Sequence, residues 1–198
     1  MILMNNFKAE PPELRKAMLQ AASRVLESGW YVLGNEVKHF EEQWSRVCGV
    51  SHGIGVGNGM DAIELALLGL SIGAGDEVIT TPMTAFATIL AIIRCGAKPV
   101  LADIDSETAL LSTESVRRCL SAKTKAVVLV HLYGQVRQMD EWVIMCGENK
   151  IMLIEDCAQA HQATWQGKVS GSFGQAGAYS FYPTKNLGAV GDAGMLVT

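Results

Sequence analysis

The sequence predicts an α/β fold in three layers, a mainly parallel β-sheet with helices on both faces. From residue 51 onward, strand-like segments alternate with helical ones, which is the pattern of βαβ units. Several strand segments are continuous apolar runs, 126–130 being the clearest, and such runs indicate burial on both faces. We expect a single domain over 1–198, a helical segment 1–50 followed by an α/β core 51–198, because no repeat, low-complexity tract or long linker interrupts the chain.

Each element follows from its own pattern. Residues 11–28 carry apolar side chains at helical spacing after a proline pair, and residues 35–47 repeat that spacing beyond a glycine-bounded apolar loop. Further helices are predicted at 60–70, 86–95, 113–121 and 137–148. Strands are predicted at 52–56, 77–81, 99–104, 126–132, 151–155, 177–182 and 194–198.

Composition narrows the class of protein. The 198 residues are 49% hydrophobic and 18% charged, which suits a globular domain with a covered sheet. A net charge of −4 with scattered basic residues argues against a nucleic-acid partner and against a membrane-surface helix. No apolar run reaches the roughly 20 residues of a membrane span, and charges near the start argue against a targeting segment. Five cysteines without CxxC spacing favour reduced thiols, so we expect a soluble cytoplasmic protein.

A glycine-rich segment, 53–62, joins a predicted strand to a helix. Free backbone N–H groups and the positive end of the helix dipole make such a junction a phosphate site. The spacing Gly57-x-Gly59-x-x-Ala62 also fits a loose dinucleotide fingerprint, although the next strand lacks the acid at its end that this fingerprint requires. We favour a single phosphate monoester, and a dinucleotide site or a purely structural turn remain the alternatives.

Two reactive side chains follow predicted strands. Asp156 ends the apolar run 151–155, and Lys185 lies in a turn just after the strand 177–182. A lysine that bonds an aldehyde and an aspartate that keeps a pyridine nitrogen protonated are what a pyridoxal 5'-phosphate (PLP) enzyme requires. Ser180, within the strand 177–182, offers a hydroxyl to the phosphate of that cofactor. The alternatives are an aspartate that caps a short helix and a solvated loop lysine.

Other candidate chemistry is weaker. His131 and Tyr133 end another strand, and either line a pocket or form a hydrogen-bonded structural pair. His161 has no second ligand at metal-binding spacing, so we predict no metal site. No GxSxG elbow is present, which removes support for a nucleophilic hydrolase.

These segments together resemble the DegT/DnrJ/EryC1/StrS family of sugar aminotransferases, PLP-dependent enzymes of fold type I. The resemblance covers almost the whole chain. The matching segments are SGWYVLG (28–34), GNGMDA (57–62), GDEVI (75–79), VHLYGQ (130–135), EDCAQA (155–160) and SFYPTKNLG (180–188). By resemblance, the chain is the large, PLP-binding domain of a fold type I enzyme, and the family's small C-terminal domain is absent from it.

The resemblance implies a role for each matching residue. Lys185 would bond the cofactor and act as general acid and base, Asp156 would pair with the pyridine nitrogen, and Gln159 would donate to the phenolic oxygen. The phosphate would be held by Ser180 and by the backbone at the start of the helix. That backbone comprises Gly59, Met60 and Asp61.

The chain departs from the family pattern at some positions. The family's aromatic residue that stacks on the cofactor ring aligns with Ala85, so the neighbouring Phe86 is the expected ring contact. Gln162 stands where the family often has glycine. Lys185 argues against the dehydratase branch, which has histidine there.

The resemblance predicts a homodimeric aminotransferase that takes glutamate as amino donor and aminates a keto group on a nucleotide-linked sugar. The alternative is a truncated, catalytically idle chain that at most binds PLP. A nicotinamide dinucleotide enzyme is the third hypothesis.

Overall fold

The computed structural model describes residues 5–198 and divides into two compact units, Met1–Phe40 and Glu41–Thr198. In the first unit, helix α1 (Pro12–Ser28) begins with proline in its first turn, where the missing N–H costs nothing, and ends at Gly29 in the left-handed region. Helix α2 (Asn35–Cys48) begins in the first unit and ends in the second. The prediction of a single domain over 1–198 stays a prediction.

The second unit alternates strands and helices, as predicted. Its helices are α3 (Gly59–Gly69), α4 (Phe86–Arg94), α5 (Thr113–Cys119) and α6 (Met139–Asn149). Its strands are β1 (Gly53–Val56), β2 (Glu77–Thr80), β3 (Lys98–Leu101), β4 (Thr124–Val130), β5 (Met152–Asp156), β6 (Thr164–Trp165), β7 (Lys168–Val169), β8 (Ala176–Ser180) and β9 (Gly194–Val197).

Seven strands form one sheet in the order β1-β9-β8-β5-β4-β2-β3. Strands β3, β2, β4, β5 and β8 are parallel neighbours, whereas β9 is antiparallel to both β8 and β1. Only β9 therefore runs in the opposite direction, and β1 points the same way as β8. The carboxyl ends of β1, β2, β4, β5 and β8 consequently lie at one edge of the sheet, which we call the carboxyl edge.

Apolar side chains cover both faces of the sheet. Along β4, Ala126 and Val128 pack into a cluster with α3 and α4, whereas Val127 and Leu129 pack into a second cluster with α5 and α6. Because successive side chains of a strand point to opposite faces, a strand between two helical layers must be apolar throughout. This arrangement confirms the predicted three-layer, mainly parallel α/β fold.

The structure differs from the prediction in detail. A two-stranded hairpin, β6–β7, was not predicted. Its turn residues Gln166 and Gly167 both have positive φ, as a type I′ turn requires, but strands of two residues are too short to show an alternating pattern. The strand predicted at 126–132 ends at Val130, since His131 has left the extended region. Within residues 5–198, no helix is both long enough and apolar enough to span a bilayer.

Candidate active site

The carboxyl edge gathers the candidate residues from three strands. Asp156 is the last residue of β5, Ser180 is the last residue of β8, and α3 begins just after β1. Asp156 pairs in register with Ala178 of β8, and Lys185 lies in the loop that follows the same strand. In open α/β sheets this edge is where ligands bind.

Asp156 is a buried carboxylate with hydrogen-bonding capacity left over. Its side chain accepts from the Thr88 hydroxyl at 2.8 Å and from the Ala158 backbone N–H at 3.1 Å, and the residue is 6% exposed. Among the described residues no cationic side chain forms an ion pair with it. A turn follows β5 where a helix was the alternative, so Asp156 does not cap a helix.

In the preceding acid, Glu155, the hydrogen-bond acceptor sites of the carboxylate are all occupied. Its carboxylate contacts His131 Nε2 at 2.8 Å and accepts the backbone N–H groups of Gly171, Phe173 and Gly174 at 2.7–2.9 Å. Burial raises the pKa of Glu155, but the His131 contact and these N–H donors outweigh burial and hold it below its ordinary value. A carboxylate has about four acceptor sites. Glu155 has none to spare, whereas Asp156 retains about two for a ligand.

Lys185 lies in a tight loop that β8 and β9 hold in place. Its backbone N–H donates to the Tyr182 carbonyl at 2.8 Å, and Ala189 N–H closes the loop onto the Phe181 carbonyl at 2.7 Å. The lysine is half-buried and lines a cavity of about 420 Å³. The other lining residues are Tyr133, Gln159, Thr184 and Asn186. Lys185 thus lies in the wall of a cavity and is only partly exposed to solvent.

Gln159 presents its amide in a defined orientation. Its side-chain oxygen accepts the Tyr133 backbone N–H at 2.9 Å. The oxygen is therefore occupied, and the NH₂ group is the end that can donate to a ligand. This orientation suits the predicted donor role and places Gln159 beside Lys185 in the same cavity.

His161 holds the end of β8 in place. Its Nε2 lies 2.9 Å from the Ser180 carbonyl oxygen, which can only accept, so this nitrogen carries a proton. Burial lowers the pKa of His161, and the charge of Lys185 lowers it further, whereas the Ser180 carbonyl and Asn186 oppose both effects. The net direction favours a neutral imidazole that anchors the end of β8.

The start of α3 is pressed against Ser180. The Asn58 side chain caps the helix by accepting the Asp61 N–H at 2.9 Å. Asp61 is therefore already paired, and the N–H groups of Gly59 and Met60, which have no intrahelical acceptor, are the backbone donors that remain for an anion. A Cβ on Gly59 would lie 2.8 Å from Ser180 Cβ, so the two backbones approach as closely as they do only because residue 59 is glycine.

The remaining candidates are distributed differently. Phe86 begins α4 and is 67% exposed, and its contact with a cofactor ring stays a prediction. Tyr133 lines the cavity, whereas His131 is buried against Glu155, so the two residues do not act as a pair with each other. Thr88, which the motifs did not single out, is a missed partner of Asp156. The sequence carried no signal for this contact, because Thr84 precedes α4 and Thr88 lies in its first turn, 68 positions from Asp156.

One cluster in the described part of the chain has metal-ligand chemistry. His131, Glu155 and Cys157 place their ligand atoms within 4.8 Å of one another, and all three are buried. The Glu155 oxygens are already occupied by hydrogen bonds, and burial raises the pKa of the Cys157 thiol well above its ordinary value. A metal needs a free carboxylate and a thiolate, so we assign no metal to this cluster.

Comparison with known proteins agrees with this geometry. Residues 12–198 match the model of the DegT/DnrJ/EryC1/StrS aminotransferase family. Over 184 residues the chain is 44% identical to the dTDP-3-amino-3,4,6-trideoxy-alpha-D-glucose transaminase of Micromonospora megalomicea subsp. nigra, covering 93% of this chain and 49% of the relative. The chain spans about half the length of the curated relatives it matches.

Two solved structures show the same fold. DesV from S. venezuelae, in complex with a ketimine intermediate, superposes with a TM-score of 0.94 at 41% identity, covering 98% of this chain and 52% of that one. NtdA from Bacillus subtilis, with bound cofactor PMP, superposes with a TM-score of 0.88 at 29% identity, covering 95% and 42%. The likeness therefore extends over nearly all of the chain.

Proposed function

Because this chain belongs to the DegT/DnrJ/EryC1/StrS aminotransferase family, we propose that it is the cofactor-binding part of a PLP-dependent sugar aminotransferase. The observation that carries this proposal is the buried carboxylate of Asp156 at the carboxyl edge, which retains free hydrogen-bond acceptor sites. It lies beside the strand whose loop presents Lys185. Such a carboxylate favours a cationic partner, and it has none among the described residues. A protonated pyridine nitrogen would supply one. An amine is the group that the aldehyde of PLP requires.

The remaining contacts fit the same cofactor. The free NH₂ group of Gln159 suits a phenolic oxygen, because its carbonyl oxygen is already bonded to Tyr133. Gly59 and Met60 offer two backbone donors at a helix N-terminus, and Ser180 adds a hydroxyl at close range, which together suit a phosphate. The phosphate interpretation of the glycine-rich segment therefore agrees with the chemistry of the whole site.

The residues of this chain would divide the work as follows. When bound, PLP supplies the aldehyde that takes up the donor's nitrogen and a ring that accepts electrons from the donor's Cα. Lys185 Nζ would move a proton between that Cα and the C4′ carbon of the cofactor in the first half-reaction, and between C4′ and the acceptor carbon in the second. Asp156 keeps the ring nitrogen protonated, and His161 holds the end of β8 and hence the start of the lysine loop.

We further propose glutamate as amino donor, a nucleotide-linked keto-sugar as acceptor, a homodimer as the assembly and the cytoplasm as the compartment. The transaminase relative named above acts on a dTDP-linked sugar by its name. The five cysteines are free thiols, which suits a reducing compartment. The chain spans about half the length of its curated relatives. The alternative to test is therefore a chain that binds PLP but does not catalyse the reaction.

The test is spectroscopic and uses the 198-residue chain. PLP should produce a visible absorbance band that is absent from Lys185→Ala and retained in Lys168→Ala, a control lysine exposed on β7. Glutamate should then bleach the band, and a nucleotide-linked keto-sugar should restore it. A band that survives Lys185→Ala would contradict the site assignment.

The other outcomes separate the alternatives. A band that neither glutamate nor a panel of nucleotide keto-sugars changes would contradict the activity and support the idle chain. Thermal stabilisation by NAD(H) without stabilisation by PLP would favour the dinucleotide hypothesis.

A further inference from the structure

Two threonine hydroxyls lead to Asp156 in series. Thr88 Oγ1 lies 2.8 Å from Asp156 Oδ2, and Thr84 Oγ1 lies 2.8 Å from Thr88 Oγ1. A carboxylate can only accept, so the single proton of the Thr88 hydroxyl goes to Asp156. Thr88 must then accept from Thr84, which fixes the direction of donation along the whole series.

The environment of this series strengthens it. Thr88 is 1% exposed and Asp156 is 6% exposed, so water competes little for the contact between them, whereas Thr84 is half-buried. Hydrogen bonds in series polarise one another, and a bond to a charged acceptor is roughly twice as strong as a neutral one. Thr88 also lies in the first turn of α4, where its N–H bonds to Ala85 and the helix dipole favours a nearby negative charge.

We propose that Thr84 and Thr88 form a hydroxyl relay that fixes the Asp156 carboxylate and orients its free acceptor sites toward the ring nitrogen of PLP. This inference rests on the proposed function, and it assigns positioning residues that the family motifs do not include. Thr88 acts through Asp156, and Thr84 acts through Thr88. The relay uses one acceptor site of Oδ2 and leaves the free capacity of the carboxylate in a defined orientation.

The chain contains a matched control. Thr80, at the end of β2, is also a fully buried threonine, and its hydroxyl donates to the Val128 carbonyl at 2.9 Å. Thr80→Val removes one buried hydroxyl of equal size without touching the relay. It should lower the melting temperature and leave cofactor binding unchanged.

The experiment compares Thr88→Val, Thr88→Ser, Thr84→Val and Thr80→Val with the wild-type chain. Fluorescence titration gives the PLP dissociation constant, and the ¹⁵N chemical shift of ring-labelled PLP reports protonation of its nitrogen as a function of pH. For Thr88→Val we expect a dissociation constant about tenfold higher, which is about 1.4 kcal/mol. The same energy should lower the pH at which the ring nitrogen deprotonates by about one unit. Thr84→Val should shift both readouts in the same direction by about threefold or less, because it acts one bond further away.

Thr88→Ser keeps the hydroxyl and should stay within about threefold of wild type. The relay is overturned if Thr88→Val leaves both readouts unchanged, if Thr88→Ser is as impaired as Thr88→Val, or if Thr80→Val shifts the ring nitrogen equally. The first result denies any role, the second assigns the role to the methyl group, and the third assigns it to general loss of stability. A wild-type chain that fails to bind PLP overturns the proposed function together with the relay.

Discussion

Replacing Gly59 with alanine sets two opposite effects against each other at the start of α3. Alanine favours a helix over glycine by up to about 1 kcal/mol. Its Cβ, however, would lie 2.8 Å from Ser180 Cβ, closer than Cβ atoms are found in real proteins, and at a tight 3.3 Å from Ser180 Cα. Ser180 is paired in register with Gly194, so its backbone cannot retreat easily.

The clash should win. An ordinary contact begins at 3.4 Å, so relief from 2.8 Å requires the start of α3 and the end of β8 to separate by about 0.6 Å. Overpacking of this kind costs about 1–3 kcal/mol, which exceeds the gain in helix propensity. With the middle of that range, about 2 kcal/mol, set against a gain of about 1 kcal/mol, we expect the free energy of unfolding to fall by about 1 kcal/mol.

The same displacement should weaken cofactor binding. Binding constellations need their donors held within about 0.5 Å of the productive position. A shift of that size separates the N–H groups of Gly59 and Met60 from the Ser180 hydroxyl, which are the proposed phosphate donors. We expect the PLP dissociation constant of Gly59→Ala to rise about tenfold, or about 1.4 kcal/mol.

Gly69 provides the control, because it ends the same helix and a Cβ there meets nothing within 4 Å. Urea denaturation should show Gly69→Ala to be more stable than wild type by about 0.5–1 kcal/mol, with unchanged PLP affinity. A Gly59→Ala chain that is stabilised to the same extent as Gly69→Ala, or that binds PLP as tightly as wild type, would contradict this prediction.

Three further predictions concern buried groups. Glu155→Gln replaces an acceptor by an NH₂ group facing backbone N–H donors, and should cost about 2–4 kcal/mol in urea denaturation, whereas the exposed Glu107→Gln should cost less than about 0.5 kcal/mol. Burial raises the pKa of Cys146 from 9.0 to about 12, so its contribution to stability is complete below pH 9 and is lost as the pH rises toward 12. Cys146→Ala should therefore flatten the fall of about 1.4 kcal/mol per pH unit in that window. Burial and the charge of Lys185 lower the pKa of His161. Its contribution to the free energy of unfolding is therefore complete above pH 6.5 and is lost as the pH falls below that value. His161→Gln should consequently lose less stability on acidification than the wild-type chain.

The sequence predicted most of the fold because its strands are continuous apolar runs. A run such as 126–130 can be buried only between two helical layers, and that requirement fixed the layer order and the parallel sheet. The carboxyl-edge positions of Asp156 and Lys185 followed from their places after strands. The hairpin β6–β7 was missed because its two-residue strands carry no periodic signal.

The site was predicted less completely than the fold. A motif names the residue that meets a ligand, but it does not say which hydrogen bonds hold that residue. The contact between Thr88 and Asp156 joins residues 68 positions apart, and only the packing of α4 against the sheet creates it. The pairing of Asp61 with the Asn58 cap likewise depends on helix geometry, so the sequence could not separate Asp61 from Gly59 and Met60 as phosphate donors.

The two adjacent acids of β5, Glu155 and Asp156, have different partners in the structure. Successive strand residues point to opposite faces, so Glu155 and Asp156 meet different layers of the molecule. Glu155 spends its capacity on the loop that enters β8, through Gly171 and Gly174, and thereby fixes where β8 begins. The loop that carries Lys185 leaves the other end of that five-residue strand. Glu155 is therefore committed to the strand that leads into the Lys185 loop, whereas Asp156 keeps acceptor sites for the role that we propose, pairing with the ring nitrogen of PLP.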